Sequence, residues 1–178
     1  MAINLPDATR HALWDATAPL RDLELPVKWV RPDGIHLTLK FLGEADDGRA
    51  PDLAAALGRA AHGAPALPIA IEGFGAFPDP AHARVLWAGI TTEPALELLQ
   101  HAVEREFAPL GFPTEGRPFR PHVTLGRAQR AGAFRALEPA LAALTFAETV
   151  VVEGVDLMRS TLQSGGAVYE LVHRERLS

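Results

Sequence analysis

The sequence predicts an α+β fold in which short strands and helices alternate along one chain. Three observations lead there. Turn clusters rich in Gly and Pro punctuate the chain without any linker-like stretch: Arg31 to Gly34, Gly63 to Pro65, Pro78 to Pro80, Gly111 to Pro118, and Ser164 to Gly166. Between them, apolar residues recur with period two in some segments and with helical spacing in others. One tetrapeptide pattern returns about half a chain apart, which makes the two halves a weak internal echo.

The elements follow in order. Residues 2–5 form a short strand. Pro6 suits the first turn of a helix reaching about Ala16, where its missing N–H costs little. Residues 27–30 and 35–42 are strands joined by the Pro-Asp-Gly turn. The Ala/Leu-rich run 51–62 is a helix. Residues 67–77 and 84–90 are strands. Leu96, Leu99, Val103 and Phe107 mark the strongest helix, 93–110. Residues 122–127 form a strand, and 133–144 a helix that Pro139 bends or shortens. Strands at 149–159 and 167–174 close the chain.

Composition narrows the function classes. The 178 residues are 48% hydrophobic and 22% charged, with no cysteine. Disulfides, thiolate metal sites and a cysteine nucleophile are therefore excluded. No apolar run approaches the roughly 18 residues of a membrane span, and the first residues lack signal-peptide character. The expectation is a cytoplasmic protein that makes no membrane contact. The net charge of −5 argues against wrapping a long nucleic acid. Yet Gly111 to Arg135 carries Arg117, Arg120, Arg127, Arg130 and Arg135 against Glu115 alone. Such a local cationic segment suits a small phosphorylated ligand or a nucleic-acid end, or is simply a solvated surface.

The repeated tetrapeptide carries the chemistry. Ile35-His36-Leu37-Thr38-Leu39 and Pro121-His122-Val123-Thr124-Leu125 share the form His, apolar, Thr, Leu, with the histidines 86 positions apart. Seven histidines in 178 residues make two such copies by chance improbable. On a strand, His36 and Thr38 share one face about 6.6 Å apart, while Ile35, Leu37 and Leu39 fill the other. His122 and Thr124 repeat this above Val123 and Leu125. Two His-Thr pairs facing one cleft suit in-line phosphoryl transfer, with one imidazole taking a proton and the other giving one. Imidazole titrates near pH ~6.5, and threonine hydroxyls donate to phosphate oxygens. A single His-x-Thr would be read as an ordinary polar strand face; two matched copies favour chemistry. No HExxH or comparable ligand spacing points to a metal.

In these two motifs and their flanks the chain resembles the 2H phosphoesterases. Within them it is most similar to the bacterial and archaeal RNA 2′,3′-cyclic phosphodiesterases, also called LigT-like or 2′-5′ RNA ligase proteins. The matching segments are residues 2–6, 27–44 (VKWVRPDGIHLTLKFLGE), 73–77 with 85–89 (VLWAG), 117–127 (RPFRPHVTLGR) and 168–171. The resemblance implies one bilobal domain over residues 1–178. Its two pseudo-twofold lobes each carry an antiparallel sheet with flanking helices around a central cleft. It implies hydrolysis of a 2′,3′-cyclic phosphate on RNA ends or small nucleotides to a 2′-phosphate, by a monomer needing no metal or cofactor. It assigns His36 as proton donor to the departing O3′, His122 as proton acceptor, and Thr38, Thr124 and Arg127 as phosphate contacts. The motifs are near mirrors chemically, so the residues alone also allow the reverse assignment. The same site run backwards would join RNA ends through a 2′-5′ linkage, and a nucleotide-binding module without turnover is the non-enzymatic alternative.

Arg127 poses a geometric problem. Strict alternation puts it on the face opposite His122, so it reaches the cleft only if the strand ends or bulges, and Gly126 is the place for that. Only Met1 precedes the first strand, which leaves the stability of that strand, taken as an edge, in question. Trp29 and Phe41 are candidates for base stacking or for core packing, with parity placing Phe41 beside Leu37 and Leu39 in the core. Lys40 shares the parity of His36, near the cleft or in solvent. His11, His62, His82, His101 and His173 show no constellation.

Overall fold

The computed structural model describes residues 1–91, 93–130, 134, 136–164 and 166–178. Thr92, Ala131 to Ala133, Arg135 and Gly165 lie outside the described residues. The expected start of the 133–144 helix, one arginine of the cationic segment and the centre of the last turn therefore lie outside them too.

Nine described strands, β1 (Ala2–Asn4), β2 (Val27–Trp29), β3 (His36–Thr38), β4 (Leu67–Phe77), β5 (Val85–Ile90), β6 (His122–Ala128), β7 (Ala147–Val152), β8 (Gly154–Gln163) and β9 (Gly166–Arg176), join in one sheet. Its order is β7-β4-β5-β6-β3-β1-β8-β9, with β2 also pairing β6, and every pairing is antiparallel. The halves meet where β3 pairs β6 through Leu37 and Val123, both fully buried. Helices α1 (Asp7–Ala16), α2 (Ala18–Arg21), α3 (Ala50–Ala61), α4 (Pro94–Phe107) and α5 (Leu137–Ala143) flank the sheet. α3 packs on α4 and on the β8–β9 ribbon, and α5 on α2 and β4.

Local sequence explains most of these elements. α4 buries Leu96, Leu99, Val103 and Phe107, one stripe of a 3.6-residue period. α3 buries Leu53, Ala56, Leu57, Ala60 and Ala61 in the same way. Leu67, Ile69 and Ile71 alternate inward along β4. At Gly73, with φ of 72°, β4 bulges against β5 between Ile71 and Phe74. A left-handed residue is cheap only for glycine.

Five expectations change. β2 and β3 do not pair with each other; both lie antiparallel to β6, one after the other, because the turn at 32–34 keeps their direction. β1 is not an edge: it lies between β3 and β8, with Ile3 fully buried. The strand expected at 149–159 is two strands broken at Glu153. Pro6 caps α1 instead of entering it, and Pro139 falls in the first turn of α5, where its missing donor does no harm.

Candidate active site

Backbone register assembles the site. With Leu37 opposite Val123 on antiparallel strands, His36 comes beside Thr124 and Thr38 beside His122. The buried pair sends its side chains into the core, so the four polar residues share the other face. A local twofold axis through the pair relates the two motifs. Strand spacing and rise put the two histidine Cα atoms about 8 Å apart on the diagonal. One end of this block holds His36 and Thr124, the other Thr38 and His122.

Both imidazoles are held alike. His36 Nδ1 lies 2.9 Å from the Gly34 carbonyl, and His122 Nδ1 lies 2.7 Å from the Arg120 carbonyl. A carbonyl only accepts, so each Nδ1 carries its proton and donates it, leaving Nε2 to exchange one. Each ring also meets an aromatic edge-to-face. Tyr169 stands 4.7 Å from His36 and Phe77 5.0 Å from His122, between ring centroids. Trp87 in turn backs Phe77 at 5.2 Å. Burial pushes the His36 pKa below its ordinary value; Arg10 and Arg127 add to this, and the Gly34 hydrogen bond partly offsets it. Among the described residues, neither threonine hydroxyl has a hydrogen-bond partner within the protein, so both remain available to a ligand.

Arg127 reaches the same face through a bulge. β5 and β6 slip register between Leu86 and Trp87: Trp87 faces Thr124, Leu86 faces Gly126, and Leu125 is the unpaired residue. Consecutive burial of Leu125 and Gly126 records the break in alternation. Val85, on the same face of β5 as Trp87, then stands opposite Arg127. Arg127 thus lies at the His36–Thr124 end, consistent with its charge acting on His36.

Other candidates divide. Lys40 is buried rather than solvated, paired with Glu104 and donating to the Pro113 carbonyl at 2.8 Å. Trp29 is half-buried against the core. Phe41, expected in the core, is 82% exposed, because β3 ends at Thr38 and parity no longer applies beyond it. His11, His82 and His173 bond locally to the Asp7 carbonyl, Asp79 and Glu175, away from the block. Among the described residues, no three His, Asp or Glu side chains form a metal-binding group.

Sequence reasoning missed several participants. Tyr169 and Phe77 arrive from strands distant in sequence and carry no local signal. Asn4 sits opposite His36 on β1, bonded to the buried Asp156 at 2.6 Å, which Arg174 grips with two nitrogens at 2.6 and 2.8 Å. The Gly34 and Arg120 carbonyls were legible in principle, since each stands two residues before its histidine. A cavity of about 810 Å³ borders the block at Thr38 and His122 and extends past Phe41, Phe77 and Phe119.

Known proteins resemble this chain in sequence and in fold. The model of the 2′-5′ RNA ligase superfamily matches residues 9–163. An RNA 2′,3′-cyclic phosphodiesterase of Methanothermobacter thermautotrophicus is 30% identical over 171 residues, covering 95% of this chain and 92% of the relative. One of Thermus thermophilus is 33% identical, covering 97% and 86%. A crystal structure of a Thermus thermophilus protein superposes with a TM-score of 0.82 at 30% identity, covering 99% of this chain and 95% of the other. Escherichia coli LigT complexed with 3′-AMP superposes with a TM-score of 0.75 at 26% identity, with the same coverage. The family model spans both His-x-Thr motifs and the strand pairing that joins them, and on that match the chain belongs to the 2′-5′ RNA ligase superfamily of 2H phosphoesterases.

Proposed function

We propose that this protein hydrolyses the 2′,3′-cyclic phosphate of RNA ends or small nucleotides to a 2′-phosphate by two-histidine acid–base catalysis. The observation that carries the reading is the pairing of the two motifs about Leu37 and Val123. The phosphate sits over the block, bound by the hydroxyls of Thr38 and Thr124 and by the Arg127 guanidinium. His122 Nε2 takes the proton of the attacking water. A P–O bond forms to that water as the P–O3′ bond breaks, and His36 Nε2 gives its proton to O3′. Holding each Nδ1–H on a carbonyl keeps each Nε2 aimed at the phosphate. The bound anion favours the protonated form of His36 that the donor role requires.

The same reading takes residues 1–178 as one bilobal domain, acting as a cytoplasmic monomer without metal or cofactor. The single sheet running through both halves supports one domain. No helix among the described residues is long and apolar enough to cross a membrane.

The test is to incubate EDTA-treated protein with 2′,3′-cyclic AMP and follow the product by phosphorus NMR. A 2′-phosphate should accumulate, and His36→Ala or His122→Ala should slow it roughly 10²- to 10⁴-fold. Full activity in both variants sinks the assignment. Binding without turnover in the unaltered protein would instead favour a nucleotide-binding module. A second reading, joining RNA ends through a 2′-5′ linkage, uses the same residues, and the cavity of about 810 Å³ bordering Thr38 and His122 offers room for an acceptor nucleoside.

A further inference from the structure

We propose that Asn4, through its side-chain oxygen Oδ1, receives the 3′-hydroxyl that the reaction releases. The inference rests on the phosphodiesterase reading above and adds to it a contact that forms only as the leaving oxygen gains its proton.

Strand register places Asn4 beside the proton donor. Asn4 on β1 faces His36 on β3 directly, one pair beyond Ile3 and Leu37, which are both fully buried. Asn4 therefore shares the cleft face with His36. The Leu39 N–H donates to the Met1 carbonyl at 2.9 Å, which makes Met1 and Leu39 a hydrogen-bonded pair. Such pairs alternate along an antiparallel ladder. Asn4 and His36 are then a non-hydrogen-bonded pair, with Cα atoms about 4.5 Å apart and side chains at their closest.

A network of buried groups sets the amide. Nδ2 donates to Asp156 Oδ2 at 2.6 Å and to Met158 Sδ at 3.3 Å, so both amide hydrogens are used. Asp156 is fully buried and is gripped by two nitrogens of Arg174 at 2.6 and 2.8 Å. Paired with a guanidinium, the carboxylate only accepts, so the amide cannot turn its oxygen that way. Oδ1 points away from Asp156. Among the described residues nothing donates to it, and it is not sealed from the cleft. Apolar side chains would join β1, β8 and β9 at least as well as a buried ion pair does. What the network adds is a fixed acceptor next to His36.

The chemistry gives that acceptor a partner. In the cyclic substrate O3′ carries no proton and offers Oδ1 nothing. As the P–O3′ bond breaks, O3′ takes the proton of His36 Nε2 and becomes a hydroxyl with one hydrogen to donate. Neutral Nε2 can accept that hydrogen, but this pair is also the starting point for closing the ring again, with His36 as base. Oδ1 is a second acceptor that does no proton chemistry. Its bond is absent from the bound substrate and present once the proton arrives. It therefore favours the transition state and the product over the substrate.

The experiment compares, by isothermal titration calorimetry, binding of adenosine 2′-phosphate and of 3′-deoxyadenosine 2′-phosphate, which differ only in the 3′-hydroxyl. The unaltered protein should hold the first roughly 2- to 12-fold more tightly, the net worth of one hydrogen bond. Asn4→Ala should erase that preference. It should also lower kcat for 2′,3′-cyclic AMP by a similar factor while KM stays unchanged. Equal affinities in the unaltered protein overturn the proposal, and that comparison needs no variant to fold. A preference that persists in Asn4→Ala overturns it too and leaves Asn4 a structural residue of β1. In either case, turnover of cyclic AMP that depends on His36 keeps the phosphodiesterase reading. An Asn4-dependent preference without any turnover overturns that reading and keeps the 3′-hydroxyl contact.

Discussion

At the scale of single residues, each catalytic candidate is defined by what holds its ring. The Nδ1–H of His36 and of His122 is committed to a backbone carbonyl two residues earlier, so only Nε2 exchanges a proton. Burial first, then the Met1 amino group, Arg10 and Arg127, lower the His36 pKa from about 6.5, with the Gly34 hydrogen bond offsetting part of this. With His36 as donor, kcat/KM falls as pH rises through that lowered value, so the descending limb lies on the acid side of 6.5. Arg127→Ala removes a positive neighbour. The limb should then move upward toward 6.5, while KM rises roughly 10- to 100-fold for the lost charged hydrogen bonds. A pH series of kcat/KM on both proteins checks this. An ascending limb that moves instead would exchange the roles of the two histidines.

At the scale of elements, two bulges aim side chains that plain alternation would misplace. Leu125 is the extra residue that turns Arg127 toward the cleft. Gly73 does the same in β4: Leu67, Ile69 and Ile71 face the core, and without the bulge Phe77 would join them. With it, Phe77 turns to meet His122. A Cβ at Gly73 would touch nothing, so Gly73→Ala isolates the backbone term at φ of 72°. It should cost about 1–2 kcal/mol in urea unfolding, the left-handed penalty of an L-residue. If β4 relieves that strain by losing the bulge, kcat should fall together with stability as Phe77 leaves His122. Gly75→Ala is a different case, since its Cβ would lie 2.4 Å from the Trp87 ring that backs Phe77.

At the scale of the whole molecule, the sheet must curl for the site to exist. β9 lies three strands from β3, about 14 Å away in a flat sheet. Tyr169 nevertheless meets His36 at 4.7 Å, so the β8–β9 ribbon folds over the block. On the other side, the buried Lys40–Glu104 pair ties the chain leaving β3 to α4 and to the 113–115 segment, whose Glu115 N–H donates to Glu104. Removing one partner leaves a buried charge alone. Lys40→Ala should therefore cost about 3–5 kcal/mol, and the double change Lys40→Met with Glu104→Leu much less. Urea denaturation of the single and double variants decides it; equal losses would show that the pair serves packing rather than charge.

The sequence by itself determined the face-sharing of His36 with Thr38 and of His122 with Thr124, because strand periodicity is local and two matched copies exceed chance. It also located the main helices and strands, since α4 writes its burial in one helical period and β4 in a strand period from Leu67 to Ile71. It could name the need for a bulge near Gly126, because parity and the expected role of Arg127 disagreed. Only the tertiary structure decided which strand each motif pairs with, which rings support the imidazoles, and that Phe41 stands in solvent. Tyr169, Phe77 and Asp156 are brought to the site by pairings across more than 40 residues of chain. Register between distant strands and the curl of a sheet are properties of the whole packed chain, so no local window of sequence records them.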